Sequence, residues 1–113
     1  MAIPHAAAGQ IVDVRPLGDS LAKSVTTTLV KSEHLEVIRL VVPAGKEIPP
    51  HQVAGEITVQ CLEGEVEIQT GGKSQVLSAG HLLYVRGNES HALKGIQNSS
   101  VLVTIQLQPR GAH

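Results

Sequence analysis

A two-residue alternation is clearest in GEVEIQTGGKSQVL, residues 64–77, where Val66 and Ile68 alternate with Glu65, Glu67 and Gln69. That period belongs to a strand with one apolar and one polar face. Gly71-Gly72 between the two halves suits the primed turn that joins a tight hairpin. A half-solvated hairpin implies an antiparallel sheet. Elsewhere the pattern comes in short runs. IVDVR (11–15), SVTTTLVKS (24–32), LEVIRLVV (35–42), EITVQCLEG (56–64) and the run from Leu82 read as strands. HALKGIQNSSVLVTIQL (91–107) reads as two strands split by QNSS. PAGKEIPPH (43–51) reads as loop, punctuated by Pro43, Gly45, Pro49 and Pro50. The first ten residues and the tail QPRGAH read as loose ends. No useful window shows a 3.6-residue period, so no substantial helix is expected. Many short strands at this spacing predict an all-β, antiparallel sandwich or barrel.

Composition strengthens this reading. Valine and isoleucine number 22 of 113 residues, Phe and Trp are absent, and Tyr84 is the one aromatic. β-branched side chains fit a pleated, half-buried surface. The length is that of a single domain, taken as residues 1–113 with its core at about 24–107. The net charge is −1 and the basic residues are scattered, so no nucleic-acid partner or anionic membrane is expected. No apolar run approaches membrane-spanning length. No signal peptide is recognised in MAIPHAAAGQ, and Cys61 has no internal partner for a disulfide, so a cytoplasmic location is expected.

The candidate chemistry lies in PAGKEIPPHQVAGEITVQCLEG and in GHLLYVRGNESH. In the first, Gly45, five residues, His51 and a closing Gly64 stand in order; in the second, Gly80, five residues, Arg86-Gly87 and then His91. Order, spacing and the hairpin between them resemble the two motifs of the cupin superfamily, in its small single-domain form, over roughly residues 35–107. The resemblance implies a double-stranded β-helix, the jelly-roll barrel of that family, and a homodimer. It also implies a ligand set of three histidines and a glutamate, of which only His51 and His91 match. Val53 stands at the second histidine. The glutamate position falls at Ile57 or Thr58, and Glu56 lies one or two places early. His81 stands where an aspartate is usual and Arg86 where a proline is usual.

His51 and His91 would supply two metal ligands if the barrel brings them together. If the family's glutamate position faces inward, Thr58, Gln60 and Leu62 line the lumen and Cys61 faces away from it. Gln60 is then the third ligand, or Glu56 if a bulge near Gly55 re-aims it. Such a site would hold one divalent transition metal (zinc, nickel, iron or manganese) weakly. The ligand pocket is expected to comprise His51, Gln60, His91, Thr58, Val53 and, if the parity of its strand allows, Tyr84. The other histidines read as solvated or capping, Cys61 as a small buried hydrophobe, and Glu63, Glu65 and Glu67 as a solvated strand face. Two functions from different classes stay open. One is a metal-dependent cupin acting on a small polar substrate, dioxygenase- or isomerase-like. The other is a metal-free cupin that binds or senses a small molecule without catalysis.

Overall fold

Nine antiparallel strands form two sheets in the computed structural model, which describes residues 5–107. Strands β1 (Thr27–Lys31), β2 (Leu35–Val42), β4 (Ile57–Glu63), β7 (Leu82–Val85) and β9 (Ser99–Gln106) make a five-stranded sheet in the order β1-β2-β9-β4-β7. Strands β3 (Glu47–His51), β5 (Glu65–Thr70), β6 (Lys73–Ser78) and β8 (His91–Gly95) make a four-stranded sheet in the order β3-β8-β5-β6. The chain passes repeatedly from one sheet to the other, which is the jelly-roll arrangement expected. Among the described residues the only helical element is the 3-10 turn Gly18–Lys23, which buries Leu21.

The hairpin β5–β6 forms as its alternation dictates. Val66 and Ile68 are wholly buried, and Gly71 and Gly72 both take positive φ at the turn. Gly64 closes the previous crossing at φ 77°, and a Cβ there would lie 2.3 Å from the Asn98 carbonyl oxygen. Glycine alone fits such a backbone this close to a neighbour. The inner faces of the two sheets meet in an aliphatic core that includes Val42, Val59, Cys61, Val85 and Val101.

Three expectations are corrected. IVDVR is not a strand. Asp13 accepts hydrogen bonds from the backbone N–H and guanidinium of Arg15, so the chain folds on itself, and Ile11 is 95% exposed. Local side-chain bonds of this kind compete with sheet pairing. PAGKEIPPH is not all loop, because Glu47–His51 is an edge strand. Proline lacks the N–H that a central strand needs, but an edge strand tolerates it. Finally, Glu63 is not part of a freely solvated face. Its carboxylate accepts the backbone N–H groups of Leu17 (2.8 Å) and Gly18 (3.1 Å) and the hydroxyl of the fully buried Ser100. The Arg39 guanidinium meanwhile donates to the Asp13 carbonyl oxygen at 2.9 Å. Burial pushes the Glu63 carboxyl up, but the three hydrogen bonds and the charge of Arg39 outweigh it and hold the pKa below its usual value. Glu63 and Arg39 thus strap the segment before β1 across the five-stranded sheet. Glu65 and Glu67 are half-buried too, each accepting a serine hydroxyl from β6.

Candidate functional site

The site is built where β3 meets β8, and it depends on a defect in their pairing. Ile48 pairs with Leu93 and His51 with His91, so Pro49 and Pro50 together oppose the single residue Ala92. This is a β-bulge on an edge strand. In a regular strand Ile48 and His51, three residues apart, would point to opposite faces. The extra residue restores the parity, and Ile48, His51, His91 and Leu93 all line one cavity. The two prolines that make the segment look like a loop are therefore what aims His51 into the lumen.

The cavity has a volume of about 150 Å³. Its lining is aliphatic apart from the two imidazoles, and it draws on Ile38, Val53, Ile57, Val59, Val103 and Ile105 among others. The rings of His51 and His91 lie with centroids 4.2 Å apart and planes at 59°. The Nδ1 of His51 contacts the Pro49 carbonyl oxygen at 3.1 Å, and that of His91 the Glu89 carbonyl oxygen at 3.2 Å. A carbonyl oxygen only accepts, so Nδ1 carries the proton in both rings. Each neutral ring then presents Nε2 as an unprotonated acceptor. His91 is 5% exposed, whereas His51 is exposed. Burial, reinforced by the neighbouring His51, lowers the His91 pKa against the opposing effect of the Glu89 carbonyl.

The remaining expected site residues fall in two groups. Val53 lines the cavity with the histidines. Thr58, Gln60, Tyr84 and Glu56 do not. On β4 the buried set is Ile57, Val59 and Cys61, so Thr58, Gln60 and Leu62 take the outer face. The inward parity expected for Gln60 is thus reversed, and Cys61 belongs to the core side. Tyr84, paired with Thr58 across β4 and β7, is 59% exposed, and its hydroxyl donates to Glu56 on the same outer side. Arg86 is a surface residue beside Glu89, and His81 caps a turn by accepting the Ser78 N–H.

The polarity of β4 was available in its sequence. Ile57, Val59 and Cys61 are the apolar register and Thr58 and Gln60 the polar one, which is the ordinary sign of inside and outside. The lumen positions Ile38, Val103 and Ile105 carried the same signal on β2 and β9.

A resident metal of the kind the resemblance implies does not fit these donors. A catalytic first-row metal takes about three protein ligands. His51 and His91 offer two nitrogens, and Gln60 and Glu56 lie on the wrong face. Among the described residues, no group of three or more His, Cys, Asp and Glu side chains is placed to hold a metal ion. Val53 stands where the resemblance expects another histidine. Of the two candidate glutamate positions the inward one is Ile57. Hydrocarbon occupies both.

A family model described as a cupin domain matches residues 38–105. No curated protein matches the chain's sequence. Solved structures with the same fold include a cupin superfamily protein from Desulfitobacterium hafniense. It is 17% identical with a TM-score of 0.75, and the match covers 91% of this chain and 100% of that one. A conserved protein of unknown function from Streptococcus pyogenes is 20% identical, with a TM-score of 0.73 and 96% of each chain covered. A cupin family protein with a double-stranded beta-helix fold from Methanocaldococcus jannaschii is 21% identical, with a TM-score of 0.72 and coverage of 90% and 96%. At these identities the likeness concerns the fold.

Proposed function

The chain belongs to the cupin domain family, and from that premise we propose that it is a metal-free member whose barrel lumen binds a small, largely apolar molecule, with His51 and His91 as the polar contacts. One observation carries this reading. The lumen positions that the resemblance reserves for ligand side chains are filled by Val53 and Ile57, so the two imidazoles face hydrocarbon. Burying apolar ligand surface against such a wall is worth about 25 cal/mol per Å². A few polar groups on an apolar wall are the usual composition of a small-molecule site. In the same reading the protein works in the cytoplasm as a homodimer. Support for the dimer comes from β7, an edge strand whose Leu82 and Tyr84 are exposed.

Thermal melting of protein purified without a metal-affinity step tests the proposal. Benzene and other small apolar probes should raise the melting temperature, and Val103→Phe, which fills the lumen, should remove the effect. Zinc, nickel, iron and manganese should leave it unchanged at neutral pH. A bound metal would stabilise by roughly 2.7 kcal/mol at a hundredfold excess over its dissociation constant, a shift easily read. Stabilisation by any of the four ions that disappears in His51→Ala and His91→Ala would overturn the metal-free reading. A monomer mass by light scattering at micromolar concentration would remove the dimer.

A further inference from the structure

The lumen also restricts the chemical class of what it takes, given that it is a small-molecule site as proposed above. Its size is the first restriction. A cavity of about 150 Å³ with an aliphatic lining is the size that accepts benzene, so the occupant has roughly six to eight non-hydrogen atoms. Charge is the second. No Lys, Arg, Asp or Glu side chain lines the cavity, so a cation finds no counter-charge there, and an anion finds one only where a histidine has taken up a proton. An unpaired buried charge is strongly disfavoured.

Hydrogen-bond polarity is the third restriction. Each Nδ1–H is already given to a carbonyl of its own strand end, Pro49 for His51 and Glu89 for His91. The polar atoms left to a ligand are the two Nε2 lone pairs. They accept and do not donate, so a carbonyl, ether or carboxylate oxygen gains nothing from them. The matching group is a neutral donor, of which a hydroxyl is the simplest.

We infer that the lumen is a site for a neutral hydroxyl-bearing ring of about the size of phenol, its ring packed on the aliphatic wall and its O–H donated to the histidine pair. His91 is the better placed acceptor, because water competes less at a ring that is 5% exposed. The exposed His51 lies beside it, ring centroids 4.2 Å apart, and lines the same cavity. Acid weakens binding, because protonation turns Nε2 from an acceptor into a donor.

The test compares phenol, benzene and benzoate by calorimetry or ligand-observed NMR at neutral pH. Phenol should bind roughly tenfold more tightly than benzene, about the most that one net hydrogen bond gives. Benzoate should bind more weakly than either. In His91→Leu, checked for its fold by circular dichroism, phenol should lose its advantage while benzene still binds. His51→Leu should reduce the advantage less. Benzene binding as well as phenol in the wild type, or benzoate binding best, would overturn the ligand class and leave the lumen as a binding site. Phenol retaining its advantage in His91→Leu would refute the assigned acceptor. If none of the three binds, the small-molecule reading itself fails, and this inference with it.

Discussion

Replacing Glu63 with alanine should cost far more than a glutamate on an exposed strand face would. The carboxylate satisfies three donors at once: the Leu17 and Gly18 N–H groups and the Ser100 hydroxyl. Water can replace it at the two peptide groups, so their loss is modest. It reaches Ser100 poorly, because that residue is fully buried. A buried hydroxyl left without its acceptor costs about 1–3 kcal/mol. Losing the charge-assisted bonds at the strap adds about 1 kcal/mol. The expected total is about 2–4 kcal/mol, read from urea denaturation at neutral pH. Ser100→Ala in the Glu63→Ala background should restore part of the loss, since it removes the orphaned hydroxyl, and a double-mutant cycle isolates that coupling. The strap should also become open to limited proteolysis near Leu17. A destabilisation below about 0.5 kcal/mol would be the ordinary surface value. It would show that the clasp holds nothing, and the reasoning would fail.

The bulge gives a second prediction. Deleting Pro50 leaves one residue opposite Ala92, so His51 should stay paired with His91 and lumen binding should survive; an engineered chain whose histidine rings no longer show mutual NMR contacts would refute the bulge assignment. The pH dependence follows from His91 and Glu63, the two groups with lowered folded-state pKa that are not fully exposed as Asp13 is. Both bind protons more readily when unfolded, so both add stability above their unfolded values and lose it as pH falls towards their folded ones. Stability should begin to drop below about pH 6.5 through His91 and again below about pH 4.5 through Glu63. His91→Leu should remove the first step and leave the second; a first step of unchanged size in that variant would show that His91 is not its source.

Much of the fold was legible in the sequence because strand alternation is a local property. The β5–β6 hairpin, the β1–β2 pair and the two separate strands β8 and β9 all follow from period-two patterning and their turns. The motif spacing singled out His51 and His91 as the two histidines for the barrel to bring together. What needed the tertiary structure was every statement about facing. A shift of one residue exchanges the two faces of a strand, and a bulge makes that shift without any local sequence rule. Two prolines read as loop therefore became the element that aims His51. Gln60 and Glu56, suited by chemistry to a third ligand, went to the outer side with Thr58 and Tyr84. Glu63 met its partners 37 to 46 residues away along the chain, at a distance no local pattern reaches. Sequence alone determined which residues alternate. Only the pairing of strands from distant parts of the chain decided which of the two alternating sets would share a cavity, because burial is a property of the assembled sheets.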